Sequence, residues 1–187
     1  MMRILLSMMF ALVAVSAAQA KEIEDVELDD TISIDGQTLV LNGAGVRSKF
    51  FLDVYVASLY LPQPQTDPDV IINADEPMVL RLNIVSGMIT SRRMADSTRD
   101  GFVRSTHGNL APIEHDVEEL IKAFSEEIEE GDVFDLVYDP ATGVTVYKDG
   151  EAASNVPGLA FKKALFGIWL SDDPIQKSLK KALINKG

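Results

Sequence analysis

Arg47 is the side chain in this sequence best suited to holding an anion. A guanidinium stays charged at any physiological pH, and its planar fork grips a carboxylate or phenolate through two hydrogen bonds. Arg47 follows the glycine pair Gly43 and Gly45. It stands near the start of a run of β-formers that includes Phe50, Phe51, Val54, Tyr55, Val56, Leu59, Tyr60 and Leu61 and stops at Pro62. Tyr55 lies further along that run, and a phenol can donate one hydrogen bond to a carboxylate held beside an arginine. Alternation over residues 46–61 puts Arg47 and Tyr55 on one face only if no bulge intervenes. Plainer readings stand beside these: Arg47 as a surface residue at a strand start, paired with Asp53, and Tyr55 as a core aromatic.

Other chemistry is thinly represented. His107 and His115 are flanked by Glu114 and Asp116 but have no recognised ligand spacing, so they read as solvated loop residues and no metal is expected. Gly43-Ala44-Gly45 is too short to cradle a phosphate and is not followed by a helix; a bend explains it. Four arginines, Arg92, Arg93, Arg99 and Arg104, read as a solvated helix face, from which one, or Arg81, could supplement Arg47. There is no cysteine, which excludes disulfides, thiolate metal sites and a cysteine nucleophile. No Gly-x-Ser-x-Gly element and no cofactor motif occurs.

Residues 1–20 have the anatomy of a secretory signal: Arg3, an apolar stretch over 4–15, and the small-residue site Ala18-Gln19-Ala20. The remaining 21–187 suits a single domain, working in the periplasm. The chain carries 17 Lys and Arg against 29 Asp and Glu, a formal charge of −12, which becomes −13 once Arg3 is removed. That excess argues against nucleic acid and anionic lipid surfaces as partners. Beyond the leader no apolar run approaches the roughly 20 residues of a spanning helix, so no stable membrane insertion is expected. An anion site must then be local, built on one or two arginines in a cleft.

The elements that would position these residues follow from pattern. Residues 21–30 form an acidic edge segment. Asp35-Gly36 marks a hairpin turn between short strands around Ile32 and Leu39. Residues 46–61 read as one long strand, too apolar for a wet face, so either both faces are covered or one lines a cavity. Residues 78–85 alternate, with Met78, Leu80, Leu82 and Ile84 pointing one way. A helix is expected over 88–106, weakened by Gly101. A second, clearer one carries Val117, Leu120, Ile121, Phe124 and Ile128 and is ended by Gly131, which leaves Glu126, Glu127, Glu129 and Glu130 opposing its dipole. Residues 133–148 make a hairpin, with a further turn at Asp149-Gly150. Two helices close the chain, one over 159–166 stopped by Gly167 and one opened by Asp173 as cap and Pro174 at its first position. Strands before and after a helical block give an α+β fold: an open-faced antiparallel sheet with helices packed on one face.

The order GxGxR followed by YVxxLYL, together with the segment PGLAFKKALFGIWLSDDPIQKSLKKAL over 157–183, resembles the chalcone isomerase-like family, its bacterial branch in particular. The resemblance spans nearly all of the chain after residue 30. Plant members cyclise chalcones to flavanones, whereas others bind fatty acids without catalysis, so the fold leaves function open. The resemblance implies that Arg47 holds either a phenolate oxyanion or a carboxylate. At Tyr55 the sequence is similar to the fatty-acid-binding members, where the enzymes have a threonine. The enzymes' catalytic tyrosine has no counterpart between Tyr60 and Tyr138; Phe102 is the nearest aromatic and lacks the hydroxyl. Ala164 stands where the enzymes select substrate with a hydroxyl residue.

The reading that results is an exported, non-catalytic binding protein for a fatty acid or similar amphipathic carboxylate. It puts the tail between sheet and helices, Arg47 and Tyr55 at the head group, and Phe102 and Ala164 among the binding residues. The alternative is a chalcone-type isomerase, an intramolecular lyase, using Arg47 alone. A third reading has no ligand, with Phe51, Tyr55 and Phe102 filling the core.

Overall fold

The computed structural model describes residues 21–34 and 36–184. The expected leader at 1–20 and Asp35 of the expected hairpin turn lie outside the described residues. The chain opens with a small antiparallel hairpin of β1 (Lys21–Ile23) and β2 (Val26–Leu28). Seven strands then form one antiparallel sheet in sequence order: β3 (Thr31–Ile34), β4 (Gln37–Lys49), β5 (Leu52–Leu61), β6 (Met78–Ile84), β7 (Val133–Asp139), β8 (Gly143–Lys148) and β9 (Glu151–Val156). Among the described residues five α-helices accompany it: α1 (Pro68–Asn73), α2 (Ser91–Ser105), α3 (Glu114–Ile121), α4 (Leu159–Leu170) and α5 (Lys177–Ile184). Among the described residues no helix is long and apolar enough to cross a membrane.

Side-chain alternation decides which face the helices cover. On β6, Met78, Leu80, Leu82 and Ile84 enter the main core with Phe102, Leu120, Phe161 and Leu165, as the period-two pattern requires. Tyr60, Val79 and Val137 point the other way and pack with Ile32 and Leu39, while β2 lays Leu28 over Ala44 and Val56. Apolar on nearly every side, α4 is buried from Phe161 to Leu170 except at Lys163. It packs on α2 where glycines thin both surfaces: a Cβ on Gly101 would lie 2.7 Å from Ile168 Cγ2, and one on Gly167 would lie 3.0 Å from Ser105 Cβ. Gly101 therefore sits inside α2, and Gly167, expected to end α4, is carried through it for close packing.

The expected single strand over 46–61 is two strands. β4 runs through both glycines to Lys49, reverses over Phe50-Phe51 and returns as β5, with Lys49 paired to Leu52. Phe50 and Phe51 hold φ of 52° and 65°, a left-handed turn that glycine or asparagine normally fills. For bulky residues this costs about 1–2 kcal/mol each. Both rings lie in solvent rather than in a covered strand, Phe50 84% and Phe51 105% exposed.

The glycine pair also does more than bend the chain. A Cβ on Gly43 would stand 2.3 Å from the Ala182 carbonyl oxygen, and one on Gly45 would stand 2.6 Å from Ala182 Cβ. The small residues let α5 lie directly on β4. Asn42, an extra residue in the β4–β5 ladder, locks this contact. Its Nδ2 donates to the Leu183 carbonyl at 2.8 Å and to the Gln65 carbonyl at 2.9 Å.

Two further helix boundaries differ from expectation. The helix expected to reach Gly131 ends at Ile121 and tightens into a 3-10 turn over Lys122–Phe124. Glu126, Glu127, Glu129 and Glu130 therefore lie outside it, and no dipole opposes them. Asp173 pairs with Arg104 at 2.6 Å instead of capping a helix, so α5 starts only at Lys177. Finally, α1 and β9 carry too little periodicity to read from sequence.

One lysine is buried outright. Lys162 on α4 donates to the carbonyls of Ile71, Ile72 and Ala74 at 2.7, 2.9 and 2.8 Å, closing the C-terminal end of α1. That end carries the negative pole of the helix. Burial, and then Lys163, push its ammonium down to about 8.

Candidate functional site

Arg47 and Tyr55 face each other directly across the β4–β5 ladder, and so project from the same, helix-covered face of the sheet. The pairing arises from the hairpin rather than from alternation along one strand. A bulge does intervene: after Arg47 and Tyr55 the next pair is Ser48 and Asp53, which leaves Val54 as the extra residue. Such irregularities re-aim side chains beside binding sites.

Gln176, immediately ahead of α5, fixes the end of β4. Its Oε1 accepts from Arg47 Nη1 at 2.9 Å and from the Ser48 amide at 3.0 Å, and its Nε2 donates to the Val46 carbonyl at 3.1 Å. Arg47 Nη1 also donates to the Ser48 carbonyl at 2.6 Å. Asp53 accepts from Ser48 Oγ at 2.7 Å instead of pairing with Arg47. Among the described residues no carboxylate lies within ion-pair distance of Arg47. The guanidinium is oriented by neutral oxygens, and its charge is left unmatched.

Tyr55 is 4% exposed, and its oxygen accepts from Trp169 Nε1 at 3.0 Å. Among the described residues its own hydroxyl proton meets no acceptor. Burial raises the phenol pKa, opposed by the Trp169 hydrogen bond and the Arg47 charge, so the group stays a proton donor at neutral pH.

Both residues open onto a cavity of about 250 Å³ between the sheet, α2 and α4. Its apolar wall is Leu52, Val54, Met88, Ile89, Met94, Ile168 and Ile175, with Phe50 and Trp169; Ser86, Ser97 and Thr98 add hydroxyls. Three cations line it, Arg47, Lys49 and Arg93, and no lining residue is acidic. In a chain of net charge −12 that is a local inversion of sign. The cavity can take an apolar body and clamp one anionic group between a fork and a phenol.

Phe102 and Ala164 do not line the cavity. Phe102 is fully buried and packs on Phe161 with ring centroids 5.5 Å apart, while the Ala164 carbonyl accepts from Ser105 Oγ at 2.7 Å. They form the α2–α4 layer behind it. Phe51 leaves the core altogether, so the filled core of the third reading does not form. Of the four arginines only Arg93 lines the cavity; Arg99 pairs with Glu118 at 2.8 Å and Arg104 with Asp173. Arg81 is committed to Asp135 at 2.7 Å. Trp169, Gln176 and Lys49 escaped sequence reasoning, although a lone tryptophan inside the family-like closing segment was a usable signal.

Comparison with known proteins agrees with this architecture. A search of curated proteins returned no match. Among solved structures, a fatty-acid binding protein of Arabidopsis thaliana superposes with a TM-score of 0.72 at 17% identity, covering 89% of this chain and 95% of that one. At that identity the likeness establishes the fold, a curled antiparallel sheet carrying helices. The chalcone isomerase-like family model matches residues 20–185, essentially the whole described chain, and this protein belongs to that family.

Proposed function

We propose that this protein is an exported, non-catalytic binding protein for a fatty acid or similar amphipathic carboxylate. Arg47 and Tyr55 hold the head group, and the tail lies in the apolar cavity between sheet and helices. The observation that carries the reading is a guanidinium without a carboxylate partner beside a buried phenol with an uncommitted proton, both opening into an apolar cavity. Charge-assisted hydrogen bonds from such a pair favour a carboxylate. The volume, just under the roughly 300–1,000 Å³ of drug-sized pockets, suits one chain rather than a two-chain lipid. The like-folded Arabidopsis protein, described as fatty-acid binding, supports the same class. Phe102 and Ala164 contribute from behind, by holding α2 against α4. The leader-like residues 1–20 support export to the periplasm.

The test is to express residues 21–187, extract the protein with organic solvent under denaturing conditions and identify co-purifying molecules by mass spectrometry. A stoichiometric fatty acid that is lost in Arg47→Ala is the expected result. An empty protein that cyclises a chalcone faster than buffer would replace this reading with the isomerase.

A further inference from the structure

The β4–β5 hairpin ends in an aromatic pair of which only Phe50 lines the cavity. Phe51 is fully exposed, and Phe50 is nearly as exposed. Both occupy left-handed backbone at the two positions of the turn, where asparagine and glycine would sit without strain. The sequence thus keeps two large apolar side chains in the conformation and the environment least favourable to them. Leu52 and Met88, 45% and 50% exposed, continue the apolar surface around the cavity mouth. Lys49 Nζ stands 5.8 Å from the Phe50 ring centroid, and Arg93 lies on the α2 side of the same cavity. Exposed aromatics with cations beside them match the layering of a bilayer surface, with apolar chains below and phosphates above.

We propose that this hairpin tip is a docking wedge for a zwitterionic phospholipid bilayer, with Phe50 and Phe51 entering the acyl boundary and Lys49 and Arg93 meeting lipid phosphates. The net charge of −12 repels an anionic membrane, which is why a zwitterionic surface is the partner. Docked in this way, the cavity mouth faces the phase in which an amphipathic carboxylate is most concentrated. That exchange role rests on the proposed binding function; the docking does not.

The experiment uses ligand-stripped protein and large unilamellar vesicles of phosphatidylcholine and phosphatidylethanolamine, with partition read by co-sedimentation. Phe51→Asn is the variant, because asparagine tolerates the left-handed turn and the protein should fold at least as stably as the parent. Wild type should sediment with vesicles, and Phe51→Asn should partition at least about tenfold more weakly. Its affinity for free laurate should stay within about threefold. Equal partition of the two proteins, or no wild-type sedimentation at all, would overturn the wedge. So would a dimer that Phe51→Asn turns into a monomer, since the tip would then join copies of this chain. Vesicle binding without laurate binding would sink the proposed function and leave the wedge intact; the reverse would sink only the wedge.

Discussion

Tyr55→Phe removes one oxygen and leaves the packing of β5 in place, which makes it the cleanest probe of the site. Two losses are expected, and they are separable. Inside the protein, Trp169 Nε1 loses the acceptor it reaches at 3.0 Å, and an unsatisfied buried donor costs about 1–3 kcal/mol. For a chain of this size that is a fall in Tm of roughly 2–12 °C. In the complex, a carboxylate loses one hydrogen bond of the kind made to charged groups, about 1.5–3 kcal/mol. Kd for laurate should therefore rise about 10- to 150-fold by isothermal titration calorimetry. The alcohol of the same chain length lacks the charge, and its affinity should change far less. If the Tm falls while laurate affinity stays within about threefold, Tyr55 is a support for Trp169 only and the head-group role is wrong.

Other perturbations test how the site is held. Gly43→Ala should cost about 3 kcal/mol, because its Cβ meets the Ala182 backbone oxygen, whereas Gly101→Ala should cost about 1 kcal/mol, because the Ile168 side chain can turn away; urea denaturation ranks them. Lys162→Met would strip three carbonyls of their donor and should lower stability by about 2–4 kcal/mol, with protease cleavage near α1 as the local readout. Tyr138, buried and bonded to Asp75, has its phenol pushed up to about 12, above the 10.0 of an unfolded tyrosine. The folded state then holds this proton more tightly, so its contribution is full below pH 10 and is lost as pH rises towards 12. Lys162, depressed to about 8, acts oppositely between pH 8 and 10.5. Comparing wild type with Tyr138→Phe at pH 9 and 11 isolates the tyrosine, and the variant should lose less stability at the higher pH.

Much of the frame was legible because it follows local rules. The faces of β6 came from strict alternation, and the hairpin of β7 and β8 from its turn residues. Sequence reading failed where packing overrode grammar. Phe50-Phe51 has the composition of a strand interior and the conformation of a turn, so two strands read as one. Gly167 looked like a helix stop because nothing local reveals that Ser105 presses against it. At the site, residue chemistry singled out Arg47, but its orienting partner Gln176 lies 129 positions away and carries no mark of the role. The cavity is a property of how α2, α4 and the hairpin meet, which no window of sequence contains.

The long separation between Arg47 and Gln176 has a consequence for biogenesis. During synthesis the amino-terminal part of the chain emerges first, and β4 and β5 are neighbours that can pair early. The glutamine that aims the guanidinium, and the helix that lies on the glycines, are made only after every described strand of the sheet. Contacts spanning so much chain form late and slowly. Arg47 thus lacks its orienting partner until the chain has been made through Gln176. A copy cut short before residue 176 retains every described strand of the sheet and lacks both Gln176 and α5, so pairing of the sheet and orientation of the guanidinium are separable steps.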